Sequence, residues 1–279
     1  MRLYKFFSSG LHLQRGLNAL KNNKVWMSKP ENFNDIYDCN LISTDPVIGF
    51  SEDKMKEAAH ILYEGLTGCS RPAILNQDLI NSVLRWAATD NHAANLTSDQ
   101  RLPFVRIFEK RIKNIGVTCF SEVYDHPLMW AHYAESHKGF CVEYDFTPMD
   151  IFNSDDKSAA SDCFVHAVSY VSKLPRIYSH EVLFTPREAA KKMLATKSYH
   201  WAYEQEHRLI AFDQPVPPTE AGILYQYPST IKPKAIILGV NVLPKTRKAV
   251  QAVCAEMDWA VKEMHIGKTG RFELKHTDD

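Results

Sequence analysis

The sequence has no excess of charge of either sign and no long hydrophobic run. Its 279 residues contain 33 Lys and Arg and 33 Asp and Glu. This excludes the strongly basic balance of a dedicated nucleic-acid coat, although a local basic patch can still bind nucleic acid. The apolar run at the N-terminus is too short for a signal sequence, and no stretch approaches the roughly 20 apolar residues that span a bilayer. We therefore expect no membrane partner.

Closely spaced cysteine pairs are also absent. The six cysteines form no C-x-x-C motif, and several lie inside apolar, strand-like runs, as reduced and buried thiols do. This usage favours a cytoplasmic location. The cysteines are Cys39, Cys69, Cys119, Cys141, Cys163 and Cys254.

Motifs that identify several enzyme classes are missing as well. Neither G-x-G-x-x-G nor G-x-x-x-x-G-K-[ST] occurs, so no phosphate-binding loop supports a doubly wound parallel sheet. Ser121 lacks the G-x-S-x-G context of a nucleophile elbow. The spacings of His126, His132 and His137 fit neither H-E-x-x-H nor a compact zinc pair, so we predict no metal site.

Strand-like and helix-like patterns follow one another without the strict alternation of a parallel sheet. The 45% hydrophobic content is enough for a substantial core. We therefore predict a single α+β domain over 1–279, with a helical insertion at 51–114 and a loop at 153–162. The predicted strands lie at 3–7, 25–28, 116–120, 139–146, 164–171, 234–240 and 271–276. The predicted helices outside the insertion lie around Leu13–Leu20, within 121–138, and at 186–197 and 244–257.

The segment W-A-Y-E-Q-E-H-R-L-I, Trp201 to Ile210, contains two glutamates two residues apart. If it is a strand, its alternation places Glu204, Glu206 and Arg208 on one face, with the carboxylates about 7 Å apart. Two acids at that distance raise the pKa of one of them and suit a site where positive charge develops on a substrate. An exposed strand edge, with Arg208 balancing the acids, is the alternative.

Aromatic and polar residues surround this segment and a second one at 121–137. Tyr199, His200, Trp201 and Tyr203 precede the acids and could stack on a ring, although such runs also form cores. The second segment combines Ser121, Trp130, His132 and Tyr133, and the first strand places Tyr4 and Lys5 on opposite faces.

Five segments together resemble a bacterial family catalogued as a domain of unknown function. They read LYKFFSS, VWMSKPENFND, VTCFSE, MWAHYAESHKGFCVEYD and WAYEQEHRLI, and they occur in the family's order between residues 3 and 210. That family in turn resembles the ADP-ribosyltransferase superfamily, which includes DarT-type nucleic-acid modifiers and RNA 2′-phosphotransferases. The resemblance implies a split β-sandwich of two small sheets with flanking helices, and a cleft for NAD between the sheets.

The resemblance also implies roles for individual residues. Glu206 would be the catalytic acid, and Glu204 would help to position the acceptor. Trp130 and Tyr133 would line the nicotinamide or ribose pocket, while a cation near the pyrophosphate would be Lys5, His132, Lys138 or Arg208. The full set of expected NAD-binding residues is Tyr4, Lys5, Ser28, Asn34, Ser121, Trp130, His132, Tyr133 and Arg208. The superfamily usually has His or Arg on its first strand, where this chain has Tyr4 and Lys5.

We thus expect an NAD-dependent ADP-ribosyltransferase that modifies a macromolecule, with nucleic acid preferred over protein. Such an enzyme would act as a toxin or phage-defence effector and need a restraining partner. Local basic patches at 106–113 and 232–234 are candidate contacts for nucleic acid. The alternatives are a metal-dependent nuclease using Asp35, Glu204, Glu206 and a histidine, and a non-enzymatic protein whose helical insertion binds a partner.

Overall fold

A computed structural model describes most of the chain outside the central and loop segments. The described residues are 1–10, 13–35, 37–39, 115–146, 163–175, 186–212, 220–226 and 231–276, together with Glu57 and His60. The predicted insertion at 51–114 therefore lies outside the described residues, apart from those two, and so do the predicted loop at 153–162 and the basic segment 106–113. Within the described ranges, no helix is long and apolar enough to cross a membrane.

The described residues form twelve strands, four α-helices and two 3₁₀ helices. The strands are β1 (Arg2–Phe7), β2 (Lys24–Ser28), β3 (Gly116–Ser121), β4 (Phe140–Asp145), β5 (Cys163–Ala167), β6 (Ser169–Val171), β7 (Thr196–Ser198), β8 (Glu206–Ala211), β9 (Gly222–Gln226), β10 (Lys232–Leu238), β11 (Ala260–Ile266) and β12 (Phe272–His276). The helices are α1 (Leu13–Lys21), α2 (Pro127–Tyr133), α3 (Pro186–Leu194) and α4 (Pro244–Met257), and the 3₁₀ helices are Pro30–Asn32 and Tyr199–Glu204.

Ten strands form one large and mostly antiparallel sheet, which confirms the α+β class. One half has the order β12-β11-β10-β4-β1, and the other has the order β9-β2-β3-β8-β5. The halves meet where β1 pairs with β3, and the register there contains one residue pair, Tyr4 with Ser121. At the other end of the same edge of β3, Val117 pairs with Ser28 of β2. The strands β1 and β2 thus share one edge of β3 and diverge from it.

Two small separate sheets, which the resemblance implies, are not what the described strands form. They make one continuous sheet that narrows to the Tyr4–Ser121 pair, with β6 and β7 as a small parallel sheet beside it. The reason is that β3 belongs to both pairings. One edge of β3 pairs with β8 along its whole length, and its other edge pairs with β1, which joins the two halves.

The core lies on both faces of the sheet. Leu13, Leu17 and Leu20 are buried on one face of α1, as their spacing predicted, and pack against the sheet together with α4 residues. On the opposite face, Trp130 and Ala134 pack against β1, β4 and β10. Because both faces are covered there, five consecutive residues of β4, 140–144, are buried, a pattern without the alternation of a half-exposed strand.

Two predicted segments were divided or bounded wrongly, and two strands were not predicted. The single strand predicted at 164–171 is two strands, because β5 pairs with β8, whereas from Ser169 on the chain turns to Ala195 and β6 pairs with β7. The helix predicted at 186–197 ends at Leu194, and the next residues form β7 beside β6. The strands β9 and β11 were not predicted, since few of their residues are buried and their apolar alternation is weak.

Candidate functional site

A cleft opens where β1 and β2 diverge from β3. Its volume is about 1120 Å³, slightly above the roughly 300–1,000 Å³ that is typical of small-molecule sites. Residues of β1, α1, β2, β3, α2, β8 and both 3₁₀ segments line it. The narrowing of the sheet therefore creates the cleft, since a fully paired β1–β3 ladder would close it.

The two glutamates predicted as catalytic both line the cleft, but local structure brings them together in an unexpected way. Glu204 is the last residue of the 3₁₀ helix and Glu206 is the first residue of β8. Gln205 between them has a φ of 42°, in the left-handed region, which turns the chain. Strand alternation therefore explains why Glu206 and Arg208 share a face, whereas the left-handed turn aligns Glu204 with them.

Five buried charged residues surround this turn, and we call them the charged cluster. None exposes more than 6% of its surface. Its members are Asp38, Lys197, Glu204, Glu206 and Arg208.

Lys197 lies at the centre of the charged cluster. Its ammonium is 2.6 Å from Glu204, 3.3 Å from Glu206 and 3.6 Å from Asp38. It also lies 4.8 Å from the centre of the Trp201 ring. One cation is thus shared by three carboxylates.

Arg208 holds the other side of the cluster. Its two terminal nitrogens donate to Asp38 at 2.8 and 2.6 Å, and its Nε donates to Glu206 at 2.8 Å. A terminal nitrogen also donates to the carbonyl of Leu194 at 2.7 Å. These donors of Arg208 all bind protein acceptors, so the side chain stabilises the charged cluster. The predicted contact of Arg208 with a pyrophosphate would break these hydrogen bonds.

Glu204 has a second hydrogen bond on the cleft side. The hydroxyl of Tyr133 donates to its Oε1 at 2.6 Å, and Asn34 donates to that hydroxyl at 3.4 Å. The hydroxyl of Ser121 donates to the main-chain carbonyl of Glu204 at 2.6 Å. Tyr133, Asn34 and Ser121 therefore lie at the site as expected, with Ser121 fixing the backbone of the turn.

The surroundings separate the pKa values of the two glutamates. Burial acts to raise the pKa of Glu206, but Arg208 and then Lys197 outweigh it and lower this pKa to about 2. Burial raises the pKa of Glu204, and Lys197 opposes that rise. Burial likewise acts to lower the pKa of Lys197, yet Glu206 and Glu204 raise it overall. Glu206 is consequently a permanent negative charge at neutral pH.

Three further cations line the cleft on the side of β1, α1 and β2: Lys5, Arg15 and Lys24. Within the described ranges, none of them forms a salt bridge with a carboxylate. The ammonium of Lys5 donates to the carbonyl of Cys119 at 3.2 Å. Because β1 diverges from β3, that strand does not pair with this carbonyl. Burial lowers the pKa of Lys5. The charge of Glu206 nevertheless acts on Lys5 and opposes this lowering of its pKa. The cleft thus combines the charged cluster with cations that form no salt bridge to a described carboxylate.

Two predicted site residues do not line the cleft. Trp130 is 1% exposed and lies in the core, where its indole nitrogen donates to the carbonyl of Tyr124. Burying so large an apolar side chain stabilises the fold, which explains its position. His132, two residues further along α2, is exposed on the outer face of that helix. The other predicted residues, Tyr4, Lys5, Ser28, Asn34, Ser121, Tyr133, Glu204, Glu206 and Arg208, all line the cleft.

Sequence reasoning missed Asp38 and Lys197. Asp38 is 170 positions from its partner Arg208, and no spacing rule connects residues so far apart. The nuclease alternative used Asp35, but that carboxylate accepts the N–H of Tyr37 and forms a local turn. Among the described residues, no group of His, Cys, Asp or Glu is arranged to hold a metal ion.

Comparison with known proteins gives one finding. Residues 129–209 match the model of a family described as proteins of unknown function, DUF2971. The expected resemblance to a family of unknown function is thereby confirmed over the segment from α2 to β8, which contains Tyr133, Lys197 and both glutamates. Neither the curated proteins nor the solved structures contain a match to the chain.

Proposed function

We propose that this protein is an NAD-dependent ADP-ribosyltransferase that modifies a macromolecule, with nucleic acid as the preferred acceptor. The observation that carries the proposal is the charge pattern of the cleft. A buried cluster with an ionised Glu206 lines the cleft, and so do three cations that form no salt bridge with a described carboxylate. The narrowed sheet around the cleft supports a relation to the split sandwich of that superfamily.

The charged cluster suits the cleavage of the nicotinamide–ribose bond. The C1′–N bond breaks with its electron pair moving to the nicotinamide nitrogen, which leaves an oxocarbenium-like ribose cation. The cluster contains three carboxylates and two cations, so one net negative charge remains to stabilise that cation. Glu206 supplies this charge, while Glu204 orients the acceptor, whose nucleophilic atom bonds to C1′ and gives its proton to water.

The cations that line the cleft from β1 and β2 suit the phosphates of NAD. A diphosphate has two negative charges and many acceptor oxygens, and Lys5 and Lys24 line the cleft from neighbouring elements. Lys5 has donor capacity beyond its bond to the Cys119 carbonyl, because an ammonium has three N–H groups. The diphosphate would therefore replace water at these cations.

The nuclease alternative finds less support in the same geometry. The position that a metal ion would take between Asp38, Glu204 and Glu206 is occupied by the ammonium of Lys197. A metal could bind there only after this side chain had moved. We further propose a cytoplasmic protein, consistent with the five described cysteines being free thiols, and a toxin-like activity that a partner restrains.

Transfer from labelled NAD tests the function. Wild type, Glu206→Gln and the control Glu256→Gln, whose acid lies in an exposed pair with Lys21, are each incubated with NAD labelled in the ADP-ribose part and with separate pools of RNA, DNA and protein. We expect label in the nucleic-acid pools with wild type and control, and a loss of roughly 100-fold or more with Glu206→Gln. Absence of transfer into every pool, or undiminished transfer by Glu206→Gln, would show that the function is different. Degradation of nucleic acid without NAD, stopped by a chelator, would favour the nuclease.

A further inference from the structure

Lys197 occupies a position that ordinary lysines avoid. It is 4% exposed, and its main chain is fixed in the short parallel pair of β7 with β6, where Lys197 lies opposite Tyr170. The hydroxyl of Tyr170 in turn accepts the N–H of Glu206 at 2.8 Å. Backbone and side chain of Lys197 are therefore both tied to the turn that contains the two glutamates.

The charge count shows what Lys197 does there. Asp38, Glu204 and Glu206 contribute three negative charges, and Arg208 and Lys197 contribute two positive charges, which leaves one negative charge. Without Lys197, three buried carboxylates would remain with Arg208 as their paired cation, a net charge of two negative units. Lys5 interacts with Glu206 through its charge but forms no salt bridge with it. Burial strongly disfavours such an excess, so one carboxyl group would bind a proton near neutral pH.

We propose that Lys197 is the positioning residue that holds Glu204 and Glu206 side by side and both ionised, and thereby makes the charge of the cleft independent of pH in the neutral range. The inference rests on the proposed function for its consequence on catalysis, but the ionisation itself is independent of that function. Lys197 acts through the glutamates and does not itself contact the ribose.

The groups around the ammonium come from every element packed against it. Asp38 follows the first 3₁₀ helix, Trp201 and Glu204 belong to the second, and Glu206 and Arg208 belong to β8. Tyr133 and Tyr170 affect the site through Glu204 and Glu206, and burial raises the pKa of both hydroxyls, so neither titrates near neutral pH. Burial also raises the pKa of the Cys119 thiol. Among these neighbours, only a glutamate or aspartate can take up the proton when Lys197 is lost.

Four variants separate this role from that of an ordinary buried ion pair. Lys197→Met removes the charge, and Lys197→Arg keeps it. Lys197→Met/Glu204→Gln removes one charge of each sign, so that one negative charge remains. The control is Lys234→Met, the same substitution in a half-exposed pair with Asp145 on the other half of the sheet.

The first measurement does not involve NAD. NMR titration of glutamate and aspartate side chains labelled with ¹³C follows their protonation between about pH 6 and 9. We expect a carboxyl group of the cluster to titrate in this range in Lys197→Met, and none of them to titrate in wild type, Lys197→Arg, Lys234→Met or the double variant. Absence of this titration in folded Lys197→Met would overturn the proposal. If Lys197→Met does not fold, the double variant must regain stability, and a double variant as unstable as the single one would also overturn it.

The second measurement is the pH profile of ADP-ribose transfer. In Lys197→Met we expect a low rate at neutral pH that rises by up to about tenfold per pH unit, since one ionisation controls it. For wild type we expect a flat profile over the same range. A rate reduced by one constant factor at every pH would refute the positioning role and leave the function intact. A titrating carboxyl group in a protein that transfers nothing would refute the function and leave the role of Lys197 intact.

Discussion

At the scale of single residues, Arg208 shows how a buried charge is tolerated. Its side chain is fully buried, yet its donors reach Asp38, Glu206 and the Leu194 carbonyl. Taking a guanidinium out of water costs several kcal/mol, which only such complete pairing offsets. Arg208, Asp38 and Glu206 are therefore stable when all three are present, whereas removing one of them leaves buried charge uncompensated.

Replacing Arg208 tests this dependence. Arg208→Ala leaves Asp38 and Glu206 buried with less compensation, so we expect the free energy of unfolding to fall by roughly 3–5 kcal/mol. The control Arg2→Ala removes a salt bridge of 3.6 Å whose arginine is 69% exposed, and should cost about 1 kcal/mol or less. Urea unfolding of both variants measures the difference. Equal losses would mean that Arg208 is not the main counter-ion of the cluster.

The sequence alone could place some residues of the charged cluster and not others, for a physical reason. Glu206 and Arg208 are two positions apart on one strand, so alternation alone placed them on one face. Lys197 and Asp38 reach the same point from other elements, and the pairing of Asp38 with Arg208 spans 170 positions. Trp130 lies in one of the segments that resemble the family, but its residue type does not reveal whether the ring faces the core or the cleft.

At the scale of elements, the turn between α2 and β4 sets where Tyr133 lies. Glu135, Ser136 and His137 have φ values of 51°, 53° and 68°, all left-handed. The N–H of Gly139 then donates to the Ala134 carbonyl at 2.9 Å, next to β1. This tight reversal lets β4 begin beside β1 and keeps the end of α2 at the cleft.

Gly139 is required by space in this turn. A Cβ at this position would lie 2.0 Å from the carbonyl oxygen of Phe7, and that backbone cannot move away without disturbing β1. We expect Gly139→Ala to lower the free energy of unfolding by about 1–3 kcal/mol. In the control Gly10→Ala, the nearest atom is a side-chain oxygen of Glu135 at 3.7 Å, so little should change. Thermal unfolding compares the two, and equal stabilities would contradict the close approach.

At the scale of the whole molecule, the cleft joins two halves of one sheet that meet at the Tyr4–Ser121 pair. Lys5 comes from one half, and Lys24 and the charged cluster come from the other half or pack against it. A ligand that contacts both Lys5 and the charged cluster therefore links the two halves. Because such a ligand binds the folded state, it also stabilises the fold by mass action.

Lys5 provides a test of this arrangement. Lys5→Met removes a cation expected to contact the diphosphate, so NAD affinity should fall by roughly 10- to 100-fold, the loss typical of a hydrogen bond to a charged group. Affinity for nicotinamide alone should stay unchanged, because it has no phosphate. Isothermal titration calorimetry measures both, with Lys245→Met on the exposed surface of α4 as control. Undiminished NAD binding by Lys5→Met would place the diphosphate elsewhere.

The order of residues alone was sufficient for the α+β class, for most strands and helices, and for the placement of Glu206 and Arg208 on one face of a strand. These features depend on periodicity and on contacts within a few positions, which a sequence displays directly. The narrowing of the sheet, the burial of Trp130 and the shared cation at Lys197 depend on pairings between distant segments. Such pairings form only when the chain folds. No local spacing in the sequence specifies which charged or aromatic side chains will then be in contact.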